Sequence, residues 1–277
     1  MKPSVNWDDH ADFYNEMAMM ELPYTGRQLD CLEITPEDTV LDIGCGPGRL
    51  SILAAERAKS VTSLDAAPKM LEHLKENARA RGIADKVSPV LMNYFDVIPD
   101  ENIQKHDIVY ASRTEAMRDI DGLSQLARKY AAVMIWANAP SIPEIINELY
   151  LGVQADADTP HMPPRGRAQG YNQFFNRVYN LGYEPNVKIM TDGFTKTFSG
   201  TDAALAYFWA LKPDLPESGK ARLLENLKPY LTNETDGAVT FRYETRTAVI
   251  WWKPEKGKVV ETPGDGQRPP FGDIAEK

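Results

Sequence analysis

A short apolar run, Thr39 to Ile43, breaks into glycines at Gly44, Gly46 and Gly48, and helical spacing of apolar residues then runs from Arg49 to Ala58. No other stretch limits the fold of this chain as much. The run is rich in β-formers and too short for a helix, so the glycines stand at a strand-to-helix turn. There the main chain and a helix N-terminus can press against a nucleotide-like ligand.

The spacing then selects among ligands. A dinucleotide fingerprint requires Gly-x-Gly-x-x-Gly, and its third glycine position is occupied here by Arg49. The phosphate loop of the NTPases requires Gly-Lys-Ser/Thr, which is absent. An acid, Asp42, two residues before the first of three alternate glycines resembles motif I of the class I S-adenosylmethionine-dependent methyltransferases.

A second apolar run, Val61 to Leu64, ends in Asp65, and Pro68 suits the first turn of a helix through Met70, Leu71 and Leu74 to about Arg81, with Gly82 at its end. A carboxylate at the end of a second strand can accept hydrogen bonds from both ribose hydroxyls. Further strands are expected at Val87 to Met92, Asp107 to Ala111, Ala131 to Ala137 and Pro185 to Met190, with the last within Val239 to Trp252. Ala168 to Leu181 reads as a returning helix, and Asp202 to Leu211 and Ser218 to Leu231 as two more inserted between the last strands. At the amino end, Trp7 to Met20 has helical spacing, and Pro23 is expected to start a second helix through Leu29 and Leu32.

The resemblance implies an α/β fold, a Rossmann-like seven-stranded, mostly parallel sheet sandwiched by helices, with helical lid additions. The expected organisation is a lid segment over residues 1–34, the methyltransferase domain over 35–253 with cap insertions near 141–167 and 194–235, and a poorly ordered tail over 254–277. It further implies S-adenosyl-L-methionine as cofactor, S-adenosyl-L-homocysteine as product, and cofactor contacts from Asp42, Gly44, Cys45, Gly46, Gly48, Asp65, Ala66, Met70 and Ser112. Asn93 and Tyr94 stand where family members often place an acid for the adenine amine. An amide oxygen can still accept from that amine and a tyrosine ring can stack on the base.

Catalytic residues are less legible. His161, beside Arg165 and Arg167 in a Pro-rich loop, can act as a base or meet an anion, although a lone loop histidine is more often merely solvated. Tyr14 and Tyr24 can hydrogen-bond cofactor or acceptor, with helix packing as the plain alternative for Tyr14. Arg113 can anchor a substrate carboxylate or simply pair with Glu115 or Asp119. The aromatic groups Phe174, Phe175, Tyr179 and Tyr207-Phe208-Trp209 read as core more readily than as pocket lining. His10, His73 and His106 are poorer candidates.

Net charge is −9, from 31 basic and 40 acidic residues, which disfavours a nucleic-acid acceptor. Two cysteines without metal spacing point to a reducing compartment and no metal site, and no apolar run approaches a membrane span. The expectation is therefore a cytoplasmic enzyme acting on a small molecule at O, N or S, with a protein acceptor as a variant and a homodimer as the assembly left open. Two alternatives remain: a cofactor-binding sensor or partner subunit without transfer activity, and use of a decarboxylated S-adenosyl cofactor.

Overall fold

In the computed structural model, residues 6–137, 140–153, 170–212, 215–235 and 237–257 are described. Five parallel strands, β1 (Thr39–Ile43), β2 (Ser60–Asp65), β3 (Val87–Leu91), β4 (His106–Ser112) and β5 (Ala127–Trp136), form most of one sheet. The path across it is β3-β2-β1-β4-β5-β8-β6, where β8 (Val239–Trp252) runs antiparallel to its neighbours β5 and β6 (Asn186–Phe198). The chain thus reverses its strand order between β1 and β4. Ligands of open α/β sheets bind at such a point, outside the carboxyl ends of the strands.

Alternation along each strand builds two apolar layers. Val40, Val61, Ile108 and Met134 face α2 (Arg49–Ala55) and α3 (Pro68–Ala80), whereas Leu41, Leu64, Val109 and Val133 face α4 (Ile120–Leu126) and α6 (Asn172–Asn180). Pro68 opens α3 at a position whose N–H has no helical partner in any case. Asp42 falls in the first of these layers and is buried there.

Three expectations need correction. Pro23 does not start a second helix: it lies inside one helix, α1 (Ala11–Leu29), followed by a 3-10 turn over Asp30–Leu32. The sixth strand does not stop at Met190 but continues to Phe198, because it pairs along its whole length with β8, a single strand of 14 residues. The sheet also has an eighth strand, β7 (Leu231–Asn233), beginning at the residue where the second inserted helix was expected to end. β8 outruns β5, and β7 takes the exposed edge beyond it. The returning helix is shorter than its spacing suggested, and the rest of the Pro-rich loop with the tail from residue 258 lies outside the described residues.

The long β6–β8 ribbon carries a third core. Phe194, Phe198, Phe241 and Tyr243 pack with α5 (Ile142–Leu149), α7 (Thr201–Ala210) and α8 (Lys220–Leu227), and with Met17 and Met20 of α1. α5 is started by the Ser141 N–H donating to Glu144 Oε2 at 2.7 Å. The inserted helices are thereby fixed by packing to one another and to α1. No helix among the described residues is long and apolar enough to cross a membrane.

Candidate functional site

The glycine loop leaves β1 at the reversal point. The Gly44 and Cys45 N–H groups both donate to the Leu64 carbonyl at the end of β2. Gly46 N–H donates to Asp65 Oδ2 at 2.8 Å and Ala67 N–H to Asp65 Oδ1 at 2.9 Å, so Asp65 sets the loop's height over the strand ends. Burial raises the Asp65 carboxyl, against the pull of those N–H groups and that of Ala66. Gly44 and Gly48 have φ of 69° and 93°, and a Cβ would lie 2.8 Å from Thr114 Oγ1 at the first and 2.3 Å from Leu74 Cδ1 at the second. At Gly46 a Cβ would meet nothing nearer than the Met70 sulfur at 4.0 Å. The loop is packed at its ends and open in its middle.

Under the loop, Ser63 Oγ donates to Ser51 Oγ and Ser51 Oγ to Asp42 Oδ2, at 2.8 and 2.7 Å. Burial pushes Asp42 up to about 7, opposed by Ser51 and then by Arg49. Cys45 is buried, and its thiol is raised well above the usual range by burial and by Asp42.

The remaining sequence candidates scatter. Asn93 Oδ1 accepts from Phe95 N–H at 3.0 Å, which closes a local turn, and the Tyr94 hydroxyl donates to Asp119 Oδ2 at 3.0 Å. Burial, then Asp119, raises the Tyr94 hydroxyl. Ser112, at the end of β4, accepts from Arg49 Nη2 at 3.1 Å. Tyr14 packs against Ala67 and Met70 beside the loop, and its hydroxyl has no hydrogen-bond partner among the described residues. Tyr24 lies against Gly193. His73 meets Asp12 of α1 and His106 meets Thr62, while His161 lies outside the described residues.

Arg113 corrects its sequence reading. It pairs with neither Glu115 nor Asp119: Glu115 faces Arg118, and Asp119 caps Gly122. Its guanidinium grips Glu21 of α1 with two bonds, 2.8 and 2.7 Å, reaches Asp192 of β6 at 2.9 Å and Thr247 of β8 at 3.0 Å, and lies 3.2 Å over the Trp136 ring. Arg49 enters the same cluster through Thr25, Gln28 and Glu21. Burial raises Glu21, but Arg113 and Arg49 outweigh it and hold the carboxyl below its usual range. Asp192 is pushed up to about 6 by burial and by Glu21. Sequence reasoning missed Glu21, Gln28, Asp192 and Thr247 altogether. The only local signal was Arg49, the one charged residue of α2.

These features have counterparts. A family model described as a methyltransferase domain matches residues 40–134. A 23S rRNA (uracil-C5)-methyltransferase from Polynucleobacter necessarius is 33% identical over 87 residues, which is 31% of this chain but only 18% of that protein. An uncharacterized protein from Haemophilus influenzae is 22% identical over 262 residues, spanning 92% of this chain and 91% of its own. The solved structure of the YcgJ protein from Bacillus subtilis superposes with a TM-score of 0.50 at 14% identity, covering 84% of this chain and 99% of that one, and so shares the fold. The strand order, the glycine loop with its two acids and the matched segment agree: residues 40–134 are a methyltransferase domain of the class I type, and S-adenosylmethionine is the cofactor of such a domain.

Proposed function

We propose that this protein transfers the methyl group of S-adenosylmethionine to a small molecule at an O, N or S atom. The observation that carries the reading is the placement of α1 across the carboxyl edge of the sheet. Glu21 ties it to Arg113 at the end of β4, and Asp12 and Asn15 tie it to His73 and Asn77 of α3. An acceptor therefore meets an edge already roofed by a helix, which suits a compact molecule better than a polymer.

The open middle of the loop at Gly46 fits the cofactor, with Asp65 as the ribose acid and Asp42 beneath the methionyl part. Tyr94 and Asn93 are the residues assigned to the adenine side. When bound, S-adenosylmethionine supplies a methyl already activated by a positive sulfur. The protein's own task is then alignment and exclusion of water, effects able to supply ~7–11 kcal/mol when alignment is good. Tyr14, which packs beside Ala67 and Met70, is the residue assigned to orient the acceptor, and Tyr24 stands further along the same helix. A base is needed only for a nucleophile that arrives protonated, and His161 is retained for that part.

The rRNA enzyme's acceptor does not transfer with its 87 shared residues, which are only 18% of that protein. A net charge of −9 also opposes a phosphate backbone. Calorimetric titration with S-adenosylmethionine tests the first step: saturable binding is expected, followed by S-adenosylhomocysteine production with a panel of small acceptors. Absence of binding would overturn the reading. Binding without turnover on any acceptor class would favour a sensor or partner subunit.

A further inference from the structure

Over residues 7–15 the chain is tied to α3 by a row of polar contacts. Asp8 Oδ1 accepts from Lys69 N–H at 3.0 Å, Asp12 Oδ1 meets His73 Nε2 at 2.8 Å, and Asn15 Oδ1 accepts from Asn77 Nδ2 at 2.8 Å. Lys69, His73 and Asn77 follow one another at one-turn intervals, so the three rungs lie along a single face of α3. The first rung is a helix cap. Ala67, the residue before α3, has no side chain able to hold a free N–H, and Asp8 does so from 61 residues away.

The third rung reaches the glycine loop itself, because the Asn77 amide donates both to Asn15 and to the Pro47 carbonyl, the latter at 3.0 Å. Beneath the row lies only a small apolar patch, Ala11 and Tyr14 over Ala67 and Met70, and the Met70 sulfur is the atom nearest the open side of Gly46. The segment thus covers the approach to the loop. Of residues 7–15 only Ala11 is buried, whereas Met17 and Met20 further along α1 sit in the third core and Glu21 lies between two arginines. Asp12 is 88% exposed at the middle rung, and α1 begins at His10 without a side-chain cap. Exposed ion pairs hold weakly and uncapped helix ends fray.

We propose that residues 7–15 are a strap that unzips from α3 to let S-adenosylmethionine reach the glycine loop and the product leave it, a step that rests on the cofactor reading above. Asn77 ties the strap to the loop. Glu16, held by Lys196 and Tyr207, and the buried Met17 mark where the lifting ends. Polar rungs suit a part that detaches, since water replaces each lost bond and only the patch under Ala11 and Tyr14 is uncovered.

Stopped-flow fluorescence of S-adenosylmethionine binding and release tests the strap in two ways. Asp8→Ala, Asp12→Ala and Asn15→Ala together loosen it, and the association and dissociation rates should both rise, each about tenfold for three exposed contacts. Faster release with unchanged association would mean that the segment merely adds contacts to bound cofactor. That outcome, or two unchanged rates, overturns the gate. Conversely, Asp12→Cys with His73→Cys, joined by a short bis-thiosulfonate reagent, should exchange cofactor far more slowly than the same protein after dithiothreitol. Asp12→Cys alone, treated likewise, controls for Cys31 and Cys45, both buried. Equal rates before and after reduction overturn the gate and leave the cofactor reading standing. A wild type that does not bind S-adenosylmethionine overturns both.

Discussion

At the scale of single residues, the loop's demands are steric before they are chemical. Gly48 combines a φ of 93° with a Cβ position 2.3 Å from Leu74 Cδ1, and Leu74 is fully buried with nowhere to retreat. Gly48→Ala is therefore expected to cost about 1–3 kcal/mol from backbone strain alone, with more from the clash. A denaturant melt would check it, and an unchanged midpoint would show that α3 yields easily. This much was legible in the chain, because alternate glycines next to an acid announce close approach of a backbone. The partners of Arg113 were not. Glu21 and Asp192 are 92 and 79 residues away in sequence, and nothing local marks either as its mate. The sequence offered Glu115 and Asp119 only because they were near, and nearness along a chain says little about which charges a sheet edge brings together.

Among elements, α1 is held by charge at one point and by packing at others. Glu21 is buried between two arginines, so Glu21→Gln leaves both guanidiniums undercompensated and should cost about 3 kcal/mol, read as a drop in unfolding free energy. Asp192 behaves in the opposite sense. Its folded pKa of about 6 lies above the unfolded value, so the folded state holds this proton more tightly. Its contribution to stability is present below pH ~4 and is lost as pH rises through about 6. Asp192→Asn, which mimics the protonated acid, should gain on wild type in melting temperature from pH 4 to 6.5, and a constant gap would contradict the assignment. The element pattern itself was readable where periodicity was strong, as in α3 and the first five strands. It failed at Pro23, whose missing N–H the sequence reading treated as a helix start although tertiary packing carries α1 past it. It failed again along β6, where register with β8 rather than local composition sets the length.

For the molecule as a whole, the question is whether the inserted helices and the cofactor half act as one body. The sheet has two apolar layers of its own, and the ribbon of β6 and β8 carries the third core beyond its edge. α1 belongs to both regions. Met17 and Met20 pack into the third core, Glu16 meets Lys196 and Tyr207, and Asp12 and Asn15 face α3 beside the glycine loop. Damage in the inserted helices should therefore reach cofactor binding through α1, since the side chains nearest the loop glycines among the described residues are Thr114, Met70, Leu74 and Ile52, none of them in those helices. Phe208 is the place to look: it is fully buried and its ring lies 4.6 Å from that of Phe241 and 6.1 Å from that of Phe198. Phe208→Ala should cost about 3–5 kcal/mol. If α1 couples the two regions, the variant also binds S-adenosylmethionine more weakly, and the cofactor raises its melting temperature less than it raises that of wild type. An unaltered ligand-induced shift on a lowered baseline would mean that the third core unfolds on its own, leaving α1 seated over the loop.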